Sequence, residues 1–81
     1  MKINIIIKLK DDVLDPQGLA IKKALSANDF KNLLGLRQGK IIEIDIDETD
    51  KEKILEQANK MCKDLLVNST IENYTIHFVE V

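Results

Sequence analysis

Apolar and polar residues alternate from the first positions of the chain, with Ile3, Ile5, Ile7 and Leu9 on one side of Lys2–Lys10 and mostly polar residues on the other. A period of two predicts a strand with one buried face. After Asp11-Asp12 the pattern changes: Val13-Leu14-Asp15-Pro16-Gln17-Gly18 places a carboxylate where it can accept from free helical amides and a proline at the first helical position. The helix that follows carries Ala20, Ile21, Ala24 and Leu25 on one side and Lys22 and Lys23 on the other. It is expected to stop near Asn28, which tolerates the left-handed backbone found just past a helix, with Phe30 as the apolar contact of that stop.

A weaker strand is expected at Leu33-Leu34-Gly35-Leu36-Arg37. It meets the next through Gln38-Gly39, which predicts a tight antiparallel hairpin with Gly39 at positive φ. The third strand alternates Ile42, Ile44 and Ile46 with Glu43, Asp45 and Asp47. Thr49 and Glu52 form a capping-box pattern, and the helix it opens places Ile54, Leu55, Ala58, Met61, Cys62, Leu65 and Leu66 on one apolar stripe. Asn68-Ser69-Thr70 ends this helix, and Tyr74 to Val81 forms a fourth strand.

The order strand, helix, strand, strand, helix, strand is an α+β, two-layer split βαβ pattern of the ferredoxin-like kind, spanning residues 1–81 as one domain. It implies a four-stranded antiparallel sheet with both helices on one face and the first and third strands side by side in the centre. On the uncovered face, Lys2, Lys8 and Lys10 are expected near Glu43, Asp45 and Asp47. The same face is expected to carry Ile6, Leu33, Ile41, Val79 and Val81, an apolar patch that predicts self-association through the sheet as a dimer or tetramer.

Composition narrows the possibilities. Eighty-one residues, 44% hydrophobic and 32% charged, describe a small globular domain and leave no room for both a nucleotide site and a substrate site. No apolar run reaches bilayer length and no secretory signal pattern is present, and the lone Cys62 fits a reducing, cytoplasmic setting. The net charge is −2, with eight cations against four acids in residues 1–40 and four against ten in residues 41–81, so the halves attract each other. An acidic chain with three aromatics is a poor nucleic-acid binder.

Catalytic chemistry is thin. Cys62 lies within the apolar helix stripe and reads as core, and His77 has no partner at metal-ligand spacing and reads as a sheet-surface residue. The acids from Glu43 to Asp50 are spread along a strand rather than gathered around a cation, and Gly18, Gly35 and Gly39 are too dispersed to cradle phosphate. Two motifs exceed what packing requires. Gly18 weakens the first helical turn, which suggests a close approach to its backbone. Arg37-Gln38-Gly39-Lys40 sets two cations around a turn, where they could grip a partner's carboxylate or phosphate or belong to an ordinary hairpin tip.

On Val13-Leu14-Asp15-Pro16-Gln17-Gly18, Arg37-Gln38-Gly39-Lys40, Leu66-Val67-Asn68 and Ile71-Glu72-Asn73-Tyr74, the whole chain resembles the PurS family of small subunits of phosphoribosylformylglycinamidine synthase. It departs from the family pattern at Asn28, Ser69 and Asn73. The resemblance implies a non-catalytic adaptor in purine biosynthesis, joining a large synthase subunit that binds ATP and formylglycinamide ribonucleotide to a glutaminase subunit that releases ammonia. It places ATP and Mg in the assembled complex and no cofactor on this chain. Subunit docking is expected at Asp15, Pro16, Gln17, Gly18, Arg37, Gly39, Lys40, Asn68, Glu72 and Tyr74. Other classes fit less well. A free-standing ligand-sensing dimer would favour a glycine-rich loop where Lys10-Asp11-Asp12 stands, and an acyl-phosphate hydrolase would need an arginine inside a phosphate loop.

Overall fold

β1, Lys2–Leu9, takes the centre of the sheet because three isoleucines on one of its faces can be buried only under another layer. In the computed structural model, which describes residues 1–80, this strand is flanked by β2, Gly39–Asp45, and β3, Glu72–Phe78, both antiparallel to it, in the order β2-β1-β3. The register sets Ile5 between Ile42 and Ile76, and Ile3 between Ile44 and Phe78. α2, Lys51–Met61, lays Ile54 and Ala58 over that face, joined by Cys62 and Val67. Ile3, Ile5, Ile54, Ala58 and Cys62 are fully buried, so the core reading of Cys62 holds, and burial pushes its thiol pKa up.

The ferredoxin-like outline is therefore present with one expected strand missing: among the described residues the sheet has three strands. Leu33–Arg37 has no regular structure, bends at Leu34 and pairs with nothing among the described residues, so β2 is an edge strand rather than a central one. The Gln38-Gly39 hairpin does not form either. Gly39 has no positive φ and begins β2 directly, so the chain runs on without reversing. A Cβ on Gly39 would meet the Ile7 carbonyl oxygen at 2.6 Å, so glycine is kept there by close approach to β1 and not by a turn.

Both helix starts rest on aspartates. α1, Pro16–Ala27, is capped by Asp15 as its sequence predicts. α2 is capped by Asp50, whose carboxylate accepts from the Glu52 amide at 3.0 Å, and the Thr49 amide instead donates to Glu48. The end of α1 is a Schellman stop in which the Phe30 amide donates to Leu25 and the Asp29 amide to Ser26. Its left-handed residue is Asp29, φ 73°, rather than Asn28, and Phe30 stays 55% exposed.

The apolar stripe of α2 is interrupted after Met61, where Cys62–Leu66 form a π-turn closed by the Val67 amide on the Cys62 carbonyl at 3.0 Å. One additional residue in the turn moves the inward position on to Val67 and leaves Leu65 85% exposed; Leu55, also expected inside, lies at the solvent edge. α1 departs further. Of its twelve residues only Gly18 is buried, and none of its side chains joins the buried core or the partly buried residues packed against it. Residues 16–38 thus form an arm extending from the body, and the radius of gyration is 16.0 Å where about 12 Å is usual for this length.

The uncovered sheet face is more polar than expected. Its cross-strand rows set Ile41 against Ile6 and Thr75, Glu43 against Asn4 and His77, and Gly39 against Lys8 and Asn73. Of the three lysines only Lys2 stands opposite an acid, Asp45, because Lys8 faces Gly39, and Lys10 and Asp47 lie beyond the paired strands. The apolar patch shrinks to Ile6 beside Ile41, with Val79 at the other end. Leu33 lies in the arm, off the sheet, and Val81 lies outside the described residues.

Candidate functional site

The two motifs that sequence reading left apart, the start of α1 and Arg37 to Lys40, meet at one end of the sheet. Asp15 joins them. One carboxylate oxygen accepts the Gly18 amide at 3.0 Å, the ordinary capping bond, and the other accepts the Gln38 amide at 2.8 Å across 23 residues of chain. The Gln38 and Gly18 amides, in that order, hold the Asp15 carboxyl below its ordinary value, and Arg37 adds a favourable charge against the opposing effect of burial. Gln17 and Gln38 add a side-chain bond of 2.8 Å.

Gly18 is explained by the same contact. A Cβ there would stand 2.8 Å from Asp15 Cγ and 3.1 Å from the Leu36 carbonyl oxygen. The close approach that its sequence position suggests comes from the chain's own carboxylate. Arg37 is likewise turned inward: its Nη2 donates to the carbonyls of Leu9, Lys10 and Val13 at 3.3, 2.9 and 3.1 Å. Through this one nitrogen it grips three backbone oxygens of its own chain. Together these bonds form a latch that holds both ends of the arm, residues 13–18 and 36–38, against the exit of β1.

The third motif lies beside the latch. Glu72 accepts the Asn68 amide at 2.8 Å and stands 3.8 Å from Lys40 Nζ, so it links the entrance of β3 to the entrance of β2. The Asn68 side chain accepts from the Thr70 amide at 3.2 Å, shaping the turn before β3. Tyr74 OH donates to Asn59 Oδ1 at 2.6 Å, fastening β3 to α2. Asn59 escaped the sequence reading; its only signal is a hydrogen-bonding side chain placed next to Ala58 on a helix whose inner stripe is otherwise apolar.

All ten expected docking residues therefore surround one end of the sheet, in three adjoining groups: Asp15 to Gly18, Arg37 with Gly39 and Lys40, and Asn68 with Glu72 and Tyr74. Their polar groups are largely engaged within the chain, which suits holding a backbone shape more than acid–base chemistry. His77 shares a 2.9 Å bond with Thr75 on the uncovered face, while Cys62 lies beneath the opposite face, so the two cannot act together. Among the described residues no group of three or more His, Cys, Asp or Glu side chains is placed to hold a metal ion, and no helix is long and apolar enough to cross a membrane.

Comparison with known proteins covers nearly the whole chain. Residues 2–80 match the sequence profile of PurS, described as phosphoribosylformylglycinamidine (FGAM) synthase. The PurS subunit of phosphoribosylformylglycinamidine synthase from Methanocaldococcus jannaschii is 40% identical over 75 residues, covering 93% of this chain and 90% of the relative. That of Bacillus subtilis is 35% identical over 80 residues, covering 99% and 94%. In three dimensions the crystal structure of the M. jannaschii PurS, one of the subunits of formylglycinamide ribonucleotide amidotransferase in the purine biosynthetic pathway, superposes with a TM-score of 0.86 at 40% identity, over 99% of this chain and 96% of the other. A chain of the Thermotoga maritima PurLQS structure gives 0.88 at 32% identity, over 96% and 95%.

Proposed function

Because the chain belongs to the PurS family, and is thus a PurS subunit of FGAM synthase in purine biosynthesis, we propose that it works as a non-catalytic adaptor. In this reading it bridges the ATP-dependent synthase subunit and the glutaminase subunit, so that ammonia freed from glutamine reaches formylglycinamide ribonucleotide without loss to water. ATP and Mg then act on the large subunit, the complex is cytoplasmic, and this chain self-associates as a dimer or tetramer. The latched end of the sheet, with Pro16 and Gln17 exposed at its rim, serves as the docking platform. Asp15, Gly18, Arg37, Gly39, Lys40, Asn68, Glu72 and Tyr74 hold its shape.

The observation that supports this most is the likeness to a chain of the T. maritima PurLQS structure, which extends over almost the full length of both. The chain's own side chains agree, since Asp15 and Arg37 are committed to backbone groups that fix a surface. The test is reconstitution: mix the chain with purified large and glutaminase subunits and follow glutamine-dependent product formation. Activity is expected only when all three are present. Turnover by the isolated chain, or full activity of the other two without it, would overturn the adaptor reading.

A further inference from the structure

The chain has a single proline, Pro16, and an aspartate stands directly before it. That order of residues is chemically distinctive. The Asp15–Pro16 bond is a tertiary amide whose nitrogen carries no hydrogen, and in acid such a nitrogen takes up a proton and leaves more readily than an ordinary peptide nitrogen. The Asp15 carboxylate belongs to the same residue as the carbonyl it would attack, so nucleophile and target are already held together.

Two features of the structure favour reaction at this bond, and one opposes it. The Leu19 amide donates to the Asp15 carbonyl oxygen at 3.0 Å, so a hydrogen-bond donor already faces the atom on which negative charge would develop. Asp15, although only 7% exposed, borders an open cavity of about 450 Å³ through which water reaches it; the charged groups around it are Asp11, Asp12, Lys22 and Arg37. Against these stands the latch. Both carboxylate oxygens are taken, one by the Gly18 amide at 3.0 Å and the other by the Gln38 amide at 2.8 Å, and turning either oxygen onto the Asp15 carbonyl requires those bonds to break.

We propose that Asp15–Pro16 is a self-scission site, which the closed latch protects and the open latch exposes. In acid the latch opens, and the freed carboxyl, back near its ordinary value of 3.8, is partly ionised. A carboxylate oxygen of Asp15 then bonds to the Asp15 carbonyl carbon. The bond from that carbon to the Pro16 nitrogen breaks, the electron pair stays on nitrogen, and nitrogen takes a proton from solution. The cyclic anhydride left on Asp15 adds one water and becomes two carboxyl groups, so the sum is hydrolysis with no change of oxidation state. The cut parts residues 1–15, which hold all of β1, from residues 16–81, and Pro16 becomes the amino terminus of α1. The central strand then stays in the sheet by pairing alone, and the change is irreversible. This chemistry is independent of the adaptor reading.

The test follows the full chain by intact mass at the lowest pH at which circular dichroism still shows the native fold, and at the same pH in urea. Fragments 1–15 and 16–81, together heavier than the chain by one water, are expected, and at least roughly tenfold more slowly from the folded chain than in urea, because only the open fraction reacts. Pro16→Ala keeps the carboxylate and both of its amide partners but restores an ordinary peptide bond, and it is expected to lose the cut. Gly18→Ala, whose methyl crowds the carboxylate, is expected to speed scission of the folded chain by the same factor as it speeds hydrogen exchange at the Gln38 amide, and to leave the rate in urea unchanged. A first cut at any other bond, a chain that stays intact in urea, equal rates with and without urea, or a Pro16→Ala chain cut like wild type would each overturn the proposal.

Discussion

The body and the arm are built from similar apolar residues and end in opposite states. In β1, Ile3, Ile5 and Ile7 are buried beneath α2, while Ile21, Phe30 and Leu34 of the arm face water. Their composition does not separate them; what differs is whether a complementary surface is available within the same chain. The body's isoleucines meet Ile54, Ala58 and Cys62, brought back over the sheet by a single helix. The arm is held out by a latch whose bonds join its two ends to each other and to the exit of β1 rather than folding it onto the core.

The sharpest break of this contrast is truncation on each side. Ile5→Ala removes a fully buried side chain and is expected to cost about 2–5 kcal/mol in urea unfolding. Ile21→Ala, measured at concentrations low enough to keep the chain monomeric, is expected to cost less than about 0.5 kcal/mol. Equal losses would mean that the arm contributes to the monomer's core. Cys62→Ala comes next, at about 1–2 kcal/mol, and glutamine-dependent activity in the reconstituted mixture is expected to be unchanged. An inactive variant of full stability would reassign the thiol.

The latch itself is tested by Gly18→Ala, whose added methyl collides with the Asp15 carboxylate. Hydrogen exchange at the Gln38 amide is expected to speed roughly fivefold to tenfold, the size of one net hydrogen bond, while the amide of Ile5 keeps its protection. Acid gives the mildest separation. The folded Asp15 pKa lies below its ordinary value of 3.8, so its contribution is complete above that pH and is lost as pH falls below it through the folded value. Protection at Gly18 and Gln38 is therefore expected to decline in that range before protection in β1, and simultaneous loss would show that the latch and core open as one unit.

Much of the body was legible because its periodicities are answered locally. The two-residue alternation of β1 and β2, the three-four spacing from Ile54 to Cys62, and Asp15 before Pro16 each describe contacts with near neighbours or with one covering layer. The errors share a physical origin. Leu33 to Arg37 reads as a strand because alternation reports a demand for pairing without reporting where the pair comes from. Gly39 reads as a turn because glycine serves both for positive φ and for close approach, and here the Ile7 carbonyl selects the second use. Thr49 lost the capping role because Asp50, one residue later, reaches the Glu52 amide. Of the candidate site, the three motifs were visible, but their convergence was not. The bond from the Gln38 amide to Asp15 spans 23 residues and has no periodic signature.

The π-turn at Cys62–Leu66 has an evolutionary consequence. A wide turn of this kind is what a single-residue insertion into an α-helix leaves behind. Deleting Lys63 would restore ordinary helical spacing, keep Val67 inward as the fourth residue after Cys62, and turn Leu65, then the second, further from the sheet. Leu65 and Leu66 would leave their present places in the apolar lining they share with Ile44 and Met61 beside β2 without any change of residue type. Chain length at this one point, rather than substitution, would then be the cheapest route by which a lineage opens or closes that surface, and a one-residue gap in this helix among relatives would mark those that had closed it.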